Sequence, residues 1–259
     1  MRESLVVRDF VNRKHPHCPA GDHHSIWSFC QTTLRTDNHR QERGFKPSHI
    51  EFALYHANQM KSSLWYNEEI FSWKIIVRSG DFRCMSSLIK YGYNFSLFGK
   101  ECFDIMKGLI EHCLIGFYRR RPLTLNNLKS DRRKILFIQT AYLLVYGVNL
   151  PMDFKDRVDL LYLIWQAVSD SYLTYQELAD ASFELKMKDS DWLKLCHYYE
   201  TYVTSPKSFD TPMPRSLAHF CRCKIRATLS ENYALPDGIE KLDIPDSFKA
   251  FLRLEKRQS

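Results

Sequence analysis

Histidine and cysteine side chains, the usual protein ligands of zinc, are gathered near the start of the chain. The first 47 residues hold His15, His17, Cys18, His23, His24, Cys30 and His39. A structural zinc site usually pairs its ligands at short fixed spacings such as C-x2–4-C, and no CxxC occurs anywhere in the sequence. The sequence therefore predicts no metal site and no cofactor, and we interpret residues 1–47 as a polar lead-in that prolines and glycines interrupt.

Motifs that mark catalytic sites are absent from the sequence. It has no glycine-rich phosphate loop, no G-x-S-x-G elbow and no HExxH. The eight cysteines are scattered and follow no secretory signal, which favours reduced thiols. The most apolar segment, 135–150, is 16 residues long and falls short of the roughly 20 residues that a membrane span needs. We predict a non-catalytic protein of the cytoplasm, with the nucleus as a further location.

A basic run, Arg119-Arg120-Arg121, stands out in a chain whose charge is uneven. Residues 51–150 carry 14 Lys and Arg against 8 Asp and Glu, whereas residues 151–210 carry 6 against 11. An acidic stretch directly behind a basic one argues against a continuous track for nucleic-acid phosphates. Two interpretations of Arg119–Arg121 stay open: a solvated charged rim, or a surface for an acidic substrate or partner.

A single apolar stripe follows the clearest break in the chain. Three prolines fall between 204 and 214, and Leu217, Cys221, Ile225 and Leu229 then recur at every fourth position. This spacing places the four side chains on one face of a helix. Arginines and a lysine occupy the other faces, so the stripe needs a groove to cover it.

The stripe resembles the BC box with which SOCS-box proteins bind Elongin C. In that motif a small hydroxyl residue and Leu are followed after three residues by Cys and, after three more, by an aliphatic residue. Ser216, Leu217, Cys221 and Ile225 fill these positions. The resemblance implies that Leu217 anchors the helix in a pocket of Elongin C, that Cys221 allows close approach, and that Ile225 extends the contact.

The thirty residues that follow also resemble a SOCS box, because they contain a segment similar to the cullin box. A strong turn signal, Leu235-Pro-Asp-Gly238, precedes it. The resemblance implies cullin-5 contacts for a set of apolar residues: Ile239, Leu242, Ile244, Pro245, Phe248, Phe251 and Leu252. Asp243 departs from the pattern, since the family usually has a proline there. Aspartate adds a charge and loosens the segment, so the departure bears on cullin-5 recruitment, which it would weaken, and not on Elongin binding.

The elements that position these motifs are predicted to be helical. We expect a lead-in at 1–47, a helical domain at 48–210 and a three-helix SOCS box at 211–259. Two segments of the helical domain at 48–210 each indicate a helix that ends at glycine: Tyr91-Gly92-Tyr-Asn94 and Tyr146-Gly147-Val-Asn149. They resemble the second helix of an ankyrin repeat, although 55 residues separate the glycines and an ankyrin period is 33. Two ordinary helix ends remain the alternative.

Together the resemblances point to a divergent member of the ankyrin-repeat and SOCS-box family. They imply an all-α substrate receptor of a ubiquitin ligase, with Elongin B/C, cullin-5 and a RING subunit as partners, and an unidentified protein substrate. The competing hypothesis is a helical interaction scaffold whose stripe completes its own core. A third is an Elongin B/C-binding protein that does not engage a cullin.

Overall fold

The computed structural model describes residues 51, 54–56, 58–59, 61, 83–92, 125–147, 152–204 and 214–255. The lead-in at 1–47 and the basic run Arg119–Arg121 lie outside these residues. Every regular element within the described ranges is helical and none is a strand, so the all-α prediction is confirmed there. In chain order the α-helices are α1 (Arg83–Lys90), α2 (Asp131–Ala141), α3 (Phe154–Ala167), α4 (Tyr175–Glu184), α5 (Asp189–Tyr202), α6 (Leu217–Glu231) and α7 (Asp246–Leu252).

The chain forms two compact units. One contains residues 1–93 and 226–253, and the other contains residues 94–225 and 254–259. Residues 211–259 therefore contribute to both units. The first part of the predicted SOCS box, up to residue 225, belongs to the second unit. Residues 226–253 belong to the first unit, together with residues 1–93.

Polar side chains at the helix starts define α2, α3 and α4 in the second unit. Ser130, Asp153 and Thr174 each accept a hydrogen bond from the backbone N–H three residues later. The carboxylate of Glu177 in turn accepts a hydrogen bond from the N–H of Thr174, which completes a capping box. These bonds satisfy backbone groups that a helix leaves without an internal partner, so the local sequence fixes where each helix begins.

The core of the second unit surrounds the end of α2. The helix continues as a π-helical turn, Tyr142–Tyr146, which contacts α3 and α5. Phe137, Trp165 and Tyr199 are among its fully buried side chains, and the hydroxyl of Tyr199 accepts a hydrogen bond of 2.8 Å from the N–H of Leu173. The apolar segment at 135–150 is thus a core helix for the residues described.

Basic side chains at the start of α2 are tied to neighbouring elements. Arg133 donates to the carboxylate of Glu177 and to the carbonyls of Ser171, at 2.6 Å, and Tyr172, at 3.2 Å. Arg132 pairs with Asp170. These two arginines stabilise the loop between α3 and α4.

The two Tyr-Gly segments differ in the structure. Gly92 ends α1 with φ +89°, the left-handed conformation expected of a terminating glycine. Gly147 has φ −74° and ψ 23°, and its N–H bonds to the carbonyl of Tyr142. Both helical segments therefore end at their glycine as predicted, but only Gly92 has the left-handed conformation; Gly147 follows a π-helical turn and has a negative φ.

Replacing Gly92 with alanine is expected to destabilise the first unit. A Cβ there would overlap Ser230 and lie 2.8 Å from the Leu235 side chain, and the positive φ is unfavourable for any L residue with a side chain. We expect a loss of about 2 kcal/mol in the free energy of unfolding, measured by urea denaturation. Lys90→Ala is the control, since Lys90 is exposed on the last turn of the same helix; an equal loss in both variants would contradict this account.

Candidate partner-binding surface

The start of α6 is built by its own sequence. The hydroxyl of Ser216 accepts a hydrogen bond of 3.2 Å from the N–H of His219, which is the geometry of an N-terminal cap. Ser216 is exposed, and its position directly before Leu217 sets where the first turn begins. The serine of the predicted Elongin C set therefore has a structural task in the chain itself.

The predicted stripe on α6 faces outward over its first three positions. Leu217 is 79% exposed, Ile225 is 40% exposed, and Cys221 is exposed with a free thiol. Leu229, the fourth position, is half-buried and packs against a small core in the first unit. Three of the four apolar side chains are thus open to a partner.

Phe220 widens this surface and was not singled out in the sequence. It is 42% exposed and lies three residues after Leu217 and beside Cys221. Residues three apart are neighbours on a helix, so Leu217 and Phe220 adjoin. The available signal was this i, i+3 relation, which a pattern of every fourth residue omits. We call Leu217, Phe220, Cys221 and Ile225 the outer face of α6.

The opposite face of α6 is polar and contacts the carboxyl end of α3 in the second unit. Arg215, just before the helix, donates a hydrogen bond of 3.0 Å to the carbonyl of Trp165. The Cys223 thiol lies 3.8 Å from the carbonyl oxygen of Ala167. Arg222 donates to the side-chain oxygen of Gln166. The last carbonyls of a helix lack internal partners and carry partial negative charge, so cationic donors suit this position.

His219 is the centre of this contact. Its Nε2 lies 2.7 Å from the carbonyl of Val168, and its Nδ1 lies 3.1 Å from Arg215 and 2.7 Å from Arg222. Because a carbonyl only accepts and a guanidinium only donates, this arrangement requires a neutral ring with its proton on Nε2.

The electrostatics agree with a neutral ring. Burial lowers the pKa of His219 to about 4; the Val168 carbonyl opposes this shift, and the charges of Arg215 and Arg222 add to it. Burial also lowers the pKa of Arg222 from its usual value, although an arginine remains charged. His219 therefore accepts from two cations without becoming one itself.

The second half of the polar face lies in the first unit. Arg226 is 5% exposed and donates to three carbonyls: Leu252 at 2.7 Å, Ile89 at 2.5 Å and Lys90 at 3.2 Å. These carbonyls belong to the last turns of α7 and α1. One buried guanidinium thus serves two helix ends.

The helix is consequently amphipathic in the reverse of the usual sense. A surface helix normally buries its apolar stripe and exposes its charges. Over residues 217–225 the buried side chains are His219 and Arg222. Leu217, Phe220 and Ile225 are each at least 40% exposed, and Cys221 is exposed as well. Exposing adjacent large apolar residues is unfavourable in water, and such patches commonly mark an interaction surface.

The C-terminal segment folds around a small core of its own. A 3₁₀ turn, Asp237–Ile239, and α7 follow α6, so this region has two α-helices and a 3₁₀ turn where three helices were predicted. Leu235, Ile239 and Leu252 are buried together, and three partly buried side chains pack against them: Leu229, Leu242 and Ile244.

The predicted cullin-binding residues fall into three groups. Ile239 and Leu252 are 0% and 3% exposed and belong to the core. Leu242, Ile244 and Phe251 are half-buried, whereas Pro245 is exposed and Phe248 is 59% exposed. Of these seven residues, only Pro245 and Phe248 are exposed. Asp243, at the position where the family has proline, is also exposed.

Other kinds of site find no support in the described ranges. Among these residues no three His, Cys, Asp or Glu side chains lie where they could hold a metal ion. The same residues include no helix with the length and apolar character needed to cross a bilayer.

The comparison with known families gives one match. Residues 213–253 match the family model of the SOCS box. No family model supports the ankyrin-like repeats. No curated protein and no solved structure matches the chain.

Proposed function

We propose, on the basis of the SOCS box at residues 213–253, that this chain is the substrate-recognition adaptor of an Elongin B/C–cullin–RING ubiquitin ligase. A SOCS box implies an adaptor role of this kind and binding to Elongin B/C. We further propose that the cullin is cullin-5 and that the part of the chain before the SOCS box captures the substrate.

The observation that carries the proposal is the outer face of α6. Its polar side is already occupied by the chain's own carbonyls, so the apolar side is the part left for another protein. Removing a leucine side chain from water contributes roughly 1.5–3 kcal/mol, and Leu217 is 79% exposed. Leu217 is therefore suited to anchor the contact with Elongin C, with Phe220, Cys221 and Ile225 beside it.

The alternative of a helical scaffold whose stripe completes its own core is disfavoured by the same observation. That hypothesis needs Leu217, Cys221 and Ile225 to pack inside the chain, and all three are exposed. A scaffold function through some other partner would still use this surface, and identifying the proteins that co-purify with the chain separates it from the adaptor function.

For the cullin we propose a contact made by Pro245 and Phe248. The buried Ile239 and Leu252 would support this contact from beneath by holding α7 in place. The half-buried Leu242, Ile244 and Phe251 would contribute at its edge. Asp243 places a carboxylate next to this surface, which motivates the second candidate function, an Elongin B/C-binding protein that engages no cullin.

Purification of the tagged full chain from cells that contain all the partners tests the proposal. Elongin B/C and cullin-5 recovered together would support the adaptor function, and Elongin B/C without any cullin would support the second candidate. Recovery of neither would refute both.

Replacing Phe248 with alanine is expected to reduce cullin-5 recovery at least tenfold while leaving Elongin B/C recovery unchanged. An aromatic side chain at the centre of an interface can contribute more than 1 kcal/mol of binding free energy. The free energy of unfolding should change little, because 59% of Phe248 is exposed. The measurement is quantitative co-purification of both partners. Asp243→Pro is the companion variant and should raise cullin-5 recovery, because it restores a rigid segment and removes a charge.

The proposal assigns no chemical step to this chain. In such ligases a ubiquitin-conjugating enzyme, held by the RING subunit, transfers ubiquitin to a substrate lysine. The receptor raises the effective concentration of substrate lysines near that enzyme. For the substrate we propose a binding region before the SOCS box, and we propose that Arg119, Arg120 and Arg121, which lie outside the described residues, contact an acidic segment of it. An ankyrin-like character of the helices in that region remains a prediction.

A further inference from the structure

The first turns of α6 are attached to the second unit by directional polar contacts. On its outer face, Leu217 is 79% exposed and Phe220 and Ile225 are 42% and 40% exposed, so none of these three side chains is buried as a core residue would be. Among the described residues the attachment is made by the opposite side, through Arg215, His219, Arg222 and Cys223, on the carbonyls and one side chain at the end of α3.

Directional contacts fix the rotation of a helix about its own axis. Hydrophobic packing tolerates sliding and rotation better, because it depends on contact area and not on angle. Here the ring of His219 reaches one carbonyl and two guanidinium groups at the same time, and the guanidinium of Arg215 also lies 3.9 Å from the centre of the Tyr172 ring. A rotation of α6 by one residue, about 100°, would break all of these contacts.

We propose that Arg215, His219 and Arg222 are positioning residues of the ligase. They hold α6 at the rotation that presents Leu217, Phe220, Cys221 and Ile225 to Elongin C. They thereby set the direction in which bound Elongin B/C projects from the helices of the second unit. This inference rests on the proposed function, since it assigns a purpose to the polar side of the same helix.

The chemistry of His219 supplies a matched pair of variants. Glutamine carries one amide donor and one carbonyl acceptor, so Gln can donate to the Val168 carbonyl and accept from Arg222. Leucine has a similar volume and neither group, so it removes the acceptor that the His219 ring offers to Arg215 and Arg222 and the donor that it offers to the Val168 carbonyl. His219→Leu should therefore release the helix, and His219→Gln should largely retain it.

Amide hydrogen exchange in the free full-length chain tests the attachment without any partner. We expect His219→Leu to lower the protection of residues 217–225 at least tenfold, and His219→Gln to stay within about threefold of the unaltered chain. Equal protection in all three would overturn the proposal. If His219→Leu does not fold, Arg215→Met, which removes only the contacts to the Trp165 carbonyl, His219 and the Tyr172 ring, replaces it under the same criteria.

Fluorescence energy transfer in the complex tests the positioning. One dye is placed on an azide-bearing residue introduced at Phe183, which is 85% exposed, and the other on the N-terminus of Elongin B. We expect one narrow distance distribution for the unaltered chain and His219→Gln, and a broad or displaced one for His219→Leu, with Elongin B/C affinities within about threefold. Identical distributions would refute the positioning role. Absence of binding by the unaltered chain would instead refute the proposed function, and the exchange result on the free chain would still stand.

Discussion

Replacing Leu217 with aspartate is expected to abolish the recovery of Elongin B/C with the purified chain. The substitution puts a carboxylate where the proposed pocket requires an apolar side chain, and burying an unpaired charge adds a penalty to the lost contact. We expect the dissociation constant to rise at least 100-fold, which corresponds to about 2.7 kcal/mol. Titration calorimetry with purified Elongin B/C measures it.

The same substitution should leave the chain folded, because the Leu217 side chain is already 79% exposed. Phe183→Asp is the matched control: Phe183 is 85% exposed, lies on α4 and is outside the SOCS box. It should bind Elongin B/C as the unaltered chain does. Undiminished binding by Leu217→Asp would show that the outer face of α6 is not the contact.

Replacing Arg226 with methionine is expected to cause the largest loss of stability. Methionine keeps much of the apolar stem but removes every donor, which leaves the carbonyls of Leu252, Ile89 and Lys90 without this partner in a region that is largely closed to water. Each buried carbonyl that loses its hydrogen bond costs roughly 1–3 kcal/mol, and relaxation recovers part of that. We expect a net loss of about 3 kcal/mol, measured as a lower midpoint of urea unfolding.

Lys224→Met controls for the removal of a positive charge from α6, because Lys224 is exposed on the same helix. Its midpoint should change little. A similar midpoint for both variants would mean that the Arg226 contacts contribute no more than a surface charge does.

Sequence periodicity predicted the helical character of the chain and three residues of the outer face, all but Phe220, because both depend on local spacing. Leu217, Cys221 and Ile225 share a side of α6 for the simple reason that they are four residues apart. The break before α6 followed from the prolines between 204 and 214, whereas the cap that the hydroxyl of Ser216 makes with the N–H of His219 was not predicted. The SOCS box was recognised from the same local pattern, and the family match at 213–253 confirms it.

The polar face could not be predicted because it depends on contacts between residues distant in sequence. His219 meets the carbonyl of Val168 across 51 positions, and Arg226 meets that of Ile89 across 137. Backbone carbonyls leave no signature in the sequence, so arginines on a helix are usually expected to face solvent. The burial of Ile239 and Leu252 was missed for a related reason: apolar residues that resemble a binding motif can equally form the core that supports it.

The central claim is tested most directly by titrating purified Elongin B/C into the unaltered full-length chain. The account predicts a saturable one-to-one complex whose binding enthalpy becomes more favourable as temperature rises, because burying the apolar outer face of α6 gives a negative heat-capacity change. A chain that is folded and monomeric, yet gives no complex with Elongin B/C at tens of micromolar, would contradict the assignment of that face to Elongin C.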